Sequence, residues 1–280
     1  MQSFKFTKMQ GAGNDYIYVN CFKEQLTDIS ALARAVSDRH FGIGSDGLVL
    51  ICPSDKADFK MDMYNSDGTR AEMCGNASRC VGKYVYDNGL TDKKRVTLET
   101  LAGIKTLDLN VSLGRVESVR VDMGSPVLDP KAIPIDSQLE RFIAQPVTVS
   151  GKSYEVTGVS MGNPHAVVFA DDVKGIALER IGPWFENHPL FPKRINTEFA
   201  RIIDRRNIEM RVWERGAGET LACGTGACAT LVAAYLNGFS DREADLILRG
   251  GTLHIEYDTE ENKVYMTGPA TTVFTGEITI

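Results

Sequence analysis

The sequence predicts an α+β fold built from two similar halves, and three observations predict it. Short segments that alternate apolar and polar residues succeed one another along the 280-residue chain, which is typical of strands in largely antiparallel sheets. Only two strong helical patterns interrupt these segments. Each of the two helices begins directly after a Cys-Gly pair, and the cysteines, Cys74 and Cys223, lie 149 positions apart, slightly over half the chain.

The strands are predicted from their alternation. In the first half they are 59–64, 95–100, 104–109 and 116–123, and in the second half 154–157, 199–203, 208–213, 253–257 and 263–266. The N-terminal residues 1–8 also alternate. Strands in succession, with few helices between them, favour an α+β architecture over strand-helix alternation.

The two helices differ in their apolar pattern. After Cys74 the apolar positions fall on one helical face, namely Ala77, Cys80, Val81, Tyr84 and Val85. An Asn-Gly pair at 88–89 predicts the end of this helix. Residues 227–236 are apolar on nearly every side and end at Asn-Gly 237–238, so the second helix should be buried.

An internal repeat follows from the 149-residue offset. Without gaps, it places Gly13-Asn14 on Gly162-Asn163, Cys74-Gly75 on Cys223-Gly224, and Asn88-Gly89 on Asn237-Gly238. The matches fall on loops, helix starts and helix ends, which indicates two copies of one design. We expect the copies to face each other across a cleft, one comprising 1–119 with 268–280 and the other 120–267.

Composition narrows the functional class. A net charge of −6 and the lack of a Lys/Arg run argue against a nucleic-acid partner. No stretch is suited to a signal peptide or a membrane span, so we expect a cytoplasmic protein with no membrane partner. Six cysteines without a CxxC element predict neither a disulfide framework nor a bound metal.

The helix-start position gives Cys74 and Cys223 a chemical role. The unpaired N–H groups and the positive end of the helix dipole stabilise a thiolate there, and can also bind a carboxylate. A base on one face of an α-carbon and an acid on the other would invert an amino acid without a cofactor. Cys74 and Cys223 are therefore the candidate acid–base pair of an amino-acid epimerase.

Polar residues precede each helix at the same spacing. Asn65 lies nine positions before Cys74, and Glu214 nine before Cys223. Both follow apolar strands, where ligand-binding groups often collect. Arg215 is suited to a two-pronged contact with a carboxylate, and Glu214 to accepting from an ammonium group.

Motifs along the whole chain resemble those of the diaminopimelate epimerase family. They are GAGNDY at 11–16, FGIGSDG at 41–47, MCGNASRC at 73–80, MGNPH at 161–165, ERGAGET at 214–220, ACGTG at 222–226 and MTGPA at 266–270. The resemblance implies conversion of LL-2,6-diaminopimelate to the meso isomer, in lysine and peptidoglycan-precursor synthesis. It also implies a homodimer of chains with two pseudo-symmetric domains, each of mainly antiparallel strands around a central helix.

The resemblance also assigns roles to residues. It implies that Cys74 and Cys223 exchange the α-proton, and that His165 and Glu214 tune the thiols. The implied substrate-binding residues are Asn14, Asn65, Gly75, Asn76, Asn163, Asn196, Glu214, Arg215, Gly224 and Thr225. Departures from the family pattern are small: Gly47 replaces a frequent glutamine, so no side-chain contact is expected there, Ala77 and Thr225 replace frequent Gly and Ser, and Phe274 replaces a tyrosine at the dimer interface.

Three alternatives stay open. A proline racemase-like enzyme would also use paired cysteines, although a substrate with one amino-acid end does not need so many Asn and Arg contacts. A redox dithiol protein would place two thiols together, but these are far apart in sequence and lack CxxC. A non-catalytic amino-acid binder would not require both cysteines.

Overall fold

The computed structural model describes residues 2–280, and within them the chain divides into two units. The first unit comprises the chain up to Asp122 together with Thr267–Ile280, and the second comprises Met123–Met266. The elements of the first half of the chain are β1 (Ser3–Gly11), β2 (Asn14–Asn20), α1 (Ile29–Ser37), β3 (Gly47–Cys52), β4 (Phe59–Asn65), β5 (Arg70–Ala71), α2 (Gly75–Asp87), β6 (Arg95–Thr100), β7 (Gly103–Ser112) and β8 (Arg115–Gly124).

The second half of the chain follows the same order of elements, with one additional strand at its start. It contains β9 (Gln145–Val149), β10 (Lys152–Ser160), β11 (Pro164–Phe169), α3 (Leu178–Glu186), β12 (Asn196–Asp204), β13 (Asn207–Glu214), β14 (Gly218–Thr220), α4 (Gly224–Leu236), β15 (Glu243–Leu248), β16 (Gly251–Asp258) and β17 (Lys263–Pro269). The last strand, β18 (Thr271–Thr279), returns to the first unit and pairs antiparallel with β1. The α+β class is therefore confirmed.

Strand pairing is the same in the two units. In the first, β1 and β2 are antiparallel, β2 and β3 parallel, β3 and β4 antiparallel, β4 and β6 parallel, and β6 and β7 antiparallel. The second repeats this series with β10, β11, β12, β13, β15 and β16. The alternation of residues does not reveal the parallel pairs, because the connection between two strands decides whether they can pair in parallel.

The register of the repeat agrees with the sequence offset. Tyr16 pairs with Gly47 in the β2–β3 ladder, and His165 pairs with Asn196 in the β11–β12 ladder. Each residue of the second ladder lies 149 positions after its counterpart in the first. Residues that occupy equivalent places in the two units can therefore be compared directly.

The helices that follow the cysteines form as predicted. α2 is buried on every side over residues 75–82 and again at Val85, rather than on one face as predicted, and it ends at Asn88. α4 is buried along almost its whole length and ends at Asn237. The sequence did not reveal α1 and α3, which are only nine residues long, and α3 contains Pro183. Short helices give a weak periodic signal, and an internal proline is normally read as a break.

Each unit has its own apolar core. In the first, β2 and β3 pack against α1 through residues such as Ile17, Leu48 and Leu32. In the second, Phe185 of α3 and Phe199 of β12 meet edge-on, with ring centroids 5.4 Å apart. These cores fix the ends of the strands and helices at which the candidate site residues lie.

Candidate functional site

Both candidate cysteines occupy the N-cap position of a helix. Cys74 precedes α2 with φ −137° and ψ 121°, and Cys223 precedes α4 with φ −119° and ψ 110°. In this extended conformation the helix begins at the next residue, Gly75 or Gly224, one residue earlier than the sequence predicts. The first backbone N–H groups of a helix have no intrahelical partner, so each cysteine lies beside potential donors to an anion.

Cys223 is enclosed by polar groups of its own helix. Its Sγ accepts from the backbone N–H of Gly226 at 3.4 Å and lies 3.4 Å from the Thr225 hydroxyl. The residue is only 5% exposed. The side chain of Thr225 thus contacts the Cys223 thiol. From the sequence, Thr225 is expected to bind substrate, and this contact is not predicted.

Burial dominates the ionisation of Cys223. Loss of solvent raises the pKa of this thiol well above its usual value, and the nearby carboxylates of Glu214 and Glu198 raise it further. Hydrogen bonds from Thr225 and Gly226 lower it, but less. The helix start was expected to lower the pKa of both thiols, but at Cys223 desolvation and two carboxylates outweigh the helix terminus and raise it.

Glu198 is a site residue that the sequence did not reveal. It lies on β12 with no solvent exposure, and its Oε1 lies 2.7 Å from Nδ1 of His165, which is equally buried. A carboxylate can only accept, so His165 donates this bond. Among the described residues, the second oxygen of Glu198 has no hydrogen-bond partner. Glu198 is the one charged residue in the buried stretch 196–200 of β12, and this was the available signal.

His165 joins this carboxylate to a further candidate residue. Its Nε2 lies 3.0 Å from Oδ1 of Asn163. The structure therefore brings Asn163, His165 and Glu198 into one chain of hydrogen bonds. His165 was expected to tune a thiol. Its partner Glu198 is one of the carboxylates that raise the pKa of Cys223.

Glu214 lies at the end of β13 and contacts the same thiol. It accepts a hydrogen bond from the Thr220 hydroxyl, and it also hydrogen-bonds to Cys223. Burial raises the pKa of Glu214 above its usual value, although these two hydrogen bonds oppose the shift. The residue therefore acts on Cys223 directly, which agrees with its expected tuning role but leaves its contact with substrate a prediction.

Asn196 connects the two loops around this part of the site. Its side chain donates to the carbonyl of Pro164 at 2.7 Å and accepts from the backbone N–H of Arg215 at 2.9 Å. The Arg215 side chain is exposed and donates to the carbonyl of Lys193 at 3.1 Å. Asn196 thus holds the backbone from which the Arg215 guanidinium projects.

In the first unit, Cys74 is contacted by Asn14. The thiol donates to Oδ1 of Asn14 at 3.3 Å, and the Asn76 side chain approaches the same oxygen at 3.5 Å. The amide nitrogen of Asn14 donates in turn to Asp46 at 2.7 Å. Because both ends of the amide are engaged, the orientation of Asn14 toward Cys74 is fixed.

Asn65 and Gly47 complete the first unit's candidate residues. The Asn65 side chain donates to the Thr69 hydroxyl at 3.0 Å, within the turn that joins β4 to β5. At Gly47 an added Cβ would lie 2.1 Å from the Tyr64 carbonyl oxygen and 2.8 Å from Tyr16. Close packing by neighbouring strands therefore accounts for glycine at position 47.

The two cysteines have unlike surroundings. At the 149-residue offset, Glu214 corresponds to Asn65 and Glu198 corresponds to Val49, a fully buried apolar residue on β3. Two carboxylates thus lie near Cys223 at places where the first unit has an amide and a valine. This difference distinguishes the two halves of an otherwise repeated design.

Two classes of site are absent from residues 2–280. No group of three or more His, Cys, Asp or Glu side chains is arranged to hold a metal ion. Within the same range, every helix is too short or too polar to cross a membrane.

Comparison with known proteins gives consistent matches along the chain. The family model described as diaminopimelate epimerase matches residues 6–128 and 157–273. A diaminopimelate epimerase of Acetivibrio thermocellus is 62% identical over 274 residues, which cover 98% of each chain. One from Desulfovibrio desulfuricans is 58% identical over 281 residues, again 98% of each chain.

A solved structure shares the fold at much lower identity. The crystal structure of a probable proline racemase from Agrobacterium radiobacter superposes with a TM-score of 0.71 at 16% sequence identity. The match covers 99% of this chain and 93% of the other.

Proposed function

Because the chain belongs to the diaminopimelate epimerase family and is an epimerase, we propose that it interconverts LL-2,6-diaminopimelate and meso-diaminopimelate, with Cys74 and Cys223 as its two proton-transfer groups. The observation that carries the proposal is the equivalent position of the two thiols. Each is the N-cap of the helix that follows the same series of strands in its unit. The proposed inversion needs a base and an acid at one α-carbon, and the two thiols are the candidates for these roles.

The unlike surroundings assign starting roles to the thiols. Cys223 is buried beside two carboxylates that raise its pKa, so it rests as the protonated acid. Cys74 is then the base, and its thiol, which donates to Oδ1 of Asn14 in the structure, first loses its proton. It removes the α-proton from one face, and the Cys223 thiol donates its proton to the opposite face. The step leaves Cys74 protonated and Cys223 as the thiolate, and the reverse reaction starts from that state.

The helix starts supply the electrostatic part of the reaction. Charge that develops at the α-carbon is delocalised into the adjacent carboxylate, which N–H donors stabilise. We assign this carboxylate to the backbone at Gly75-Asn76 and Gly224-Thr225. No pyridoxal phosphate is needed, because these donors take the place of a cofactor that delocalises the charge.

The remaining polar side chains are the proposed contacts with the rest of the substrate, namely Asn14, Asn65, Asn163, Asn196, Glu214 and Arg215. Glu214 contacts Cys223 and can therefore accept from the ammonium group at the reacting carbon. An exposed guanidinium such as that of Arg215 can bind a second carboxylate, which a substrate with two amino-acid ends has and proline lacks.

Solvent exchange of the α-proton tests the proposal. In the initial turnovers in D₂O, meso-diaminopimelate formed from LL-diaminopimelate should carry deuterium at one α-carbon only, and proline should not exchange. The Cys74→Ala and Cys223→Ala proteins should lose epimerisation, whereas Cys228→Ala, which changes a buried thiol one turn farther along α4, should retain it. Wild-type turnover in either of the first two variants, or faster exchange of proline, would contradict the assignment.

The setting of this activity is also proposed. We assign the enzyme to lysine and peptidoglycan-precursor synthesis in the cytoplasm, and expect a homodimer. Phe274 is 45% exposed, and its ring meets Phe6 edge-on at 5.9 Å, so it offers an apolar surface to a second copy. Light scattering should give twice the chain mass, and Phe274→Glu should shift the protein toward the monomer.

A further inference from the structure

The parallel strands β2 and β3 end in a pair of cysteines that the proposed reaction does not use. Ile17 pairs with Leu48 and Val19 with Leu50, and all four side chains lie in one apolar cluster. The backbone N–H of Cys21 donates to the Ile51 carbonyl at 2.9 Å, which extends the ladder by one step. Cys21 and Cys52 are therefore the next pair on this face, and both pack against the same cluster.

The two thiols contact each other. The Cys21 thiol hydrogen-bonds to Cys52, and both residues are partly exposed. Neighbouring strands lie about 4.8 Å apart, which is within the range of Cα separations found in disulfides, about 4.4–6.8 Å. A disulfide could therefore form here without separating the strands.

Charges around the pair distinguish its members. The hydrogen bond from Cys21 lowers the pKa of Cys52, and the ammonium group of Lys60, its cross-strand partner on β4, lowers it further. Burial and the Asp62 carboxylate oppose this, but Asp62 is paired with Arg70 at 2.6 Å. The pKa of Cys21 is raised by the same hydrogen bond, by burial and by Cys52 itself, with smaller effects from Asp62 and Glu24.

We propose that Cys21 and Cys52 form a redox-active dithiol that a hydroperoxide oxidises to a disulfide. The Cys52 thiolate attacks the peroxide oxygen, the O–O bond breaks, and the departing alkoxide or hydroxide takes a proton. The resulting Cys52 sulfenic acid is attacked by Cys21, which forms the S–S bond and releases water. The sum converts two thiols and one hydroperoxide into a disulfide, an alcohol or water, and a second water.

The position of the pair separates it from the proposed proton transfer. Cys21 and Cys52 lie at the carboxyl ends of β2 and β3, whereas Asn14 and Gly47 begin the same strands. At the equivalent places the second unit has Ala170 and Arg201, although the Ala170 N–H makes the corresponding bond to its neighbouring strand at 2.9 Å. The repeated fold therefore does not require thiols here.

Peptide mapping of the full-length protein tests the proposal. The reduced protein is treated with one equivalent of hydrogen peroxide, alkylated without reductant and digested with trypsin. Residues 9–23 and 40–56 should appear as one cross-linked species, two hydrogen atoms lighter than the sum of the separate peptides. The buried thiols Cys80 and Cys228 should be alkylated only after unfolding.

Variants separate the roles of the two thiols. Cys21→Ser should stop the reaction at a Cys52 sulfenic acid that dimedone traps, and Cys52→Ser should leave Cys21 reduced, both with wild-type epimerase activity. Alkylation of both cysteines after peroxide treatment would overturn the proposal, and so would a dimedone-trapped sulfenic acid on Cys21 in the Cys52→Ser protein, since Cys52 would then not be the attacking thiol.

Discussion

Replacement of Gly226 by alanine tests how tightly the surroundings of Cys223 are built. A Cβ at this position would lie 2.5 Å from Oε1 of Glu198 and 3.3 Å from Cβ of Cys223. The first distance is shorter than any ordinary contact, so the carboxylate or the start of α4 has to move. The equivalent residue of α2 is already alanine, Ala77, and Val49 occupies the position that corresponds to Glu198.

The size of the effect follows from these distances. Ordinary contact begins at 3.4 Å, so Glu198 must retreat by about 0.9 Å, which can lengthen its 2.7 Å bond to His165 to about 3.6 Å, beyond hydrogen-bonding range. Loss of a hydrogen bond to a charged buried group costs roughly 1.5–3 kcal/mol of unfolding free energy. A displacement of about 1 Å in the site can reduce kcat by on the order of 100-fold.

Urea denaturation and steady-state epimerisation together measure both effects. Gly226→Ala should lose stability and kcat, whereas Ala77→Gly, the matched change in α2, should lose at most about 1 kcal/mol from helix propensity and keep its activity. The double variant Glu198→Ala/Gly226→Ala should be no less active than Glu198→Ala alone, because the methyl group then has room. Wild-type kcat and stability in Gly226→Ala would refute the reasoning.

Two further predictions concern charge. Glu198→Gln removes a negative charge that raises the pKa of Cys223, so the pKa should fall and the basic limb of the kcat/KM pH profile should move to lower pH; a shift in the opposite direction would contradict the assignment. Burial alone would raise the pKa of Asp15, but Arg39 and Lys8 lower it below the usual range. Its carboxylate therefore stabilises the fold above the unfolded pKa of about 3.9, and this contribution is lost as the pH falls through the lower folded value. Asp15→Asn should thus lower stability in urea at pH 7 and approach wild type near pH 3; an equal loss at both pH values would exclude an ionic origin.

The sequence by itself was sufficient for the helix starts, the repeat and the family. Cys-Gly and Asn-Gly pairs mark the bounds of α2 and α4 because capping chemistry is local, and the alternation of strands is a property of neighbouring residues. The β2–β3 and β11–β12 ladders have registers that differ by the same 149 residues. A shift of one residue would move the buried side chains to the other face of the strand, so the register is strongly specified.

Only the tertiary structure decided which groups surround each thiol. Glu198 is 25 residues from Cys223 in sequence, and a crossover between parallel strands brings it against the start of α4. Helix-start reasoning predicted a lowered pKa for both thiols, whereas desolvation and two carboxylates raise the pKa of Cys223. The contact between Cys21 and Cys52 has the same origin, because parallel pairing joins distant segments. Local patterns determine what a segment forms, but the charge and solvent around a side chain depend on what the fold packs against it.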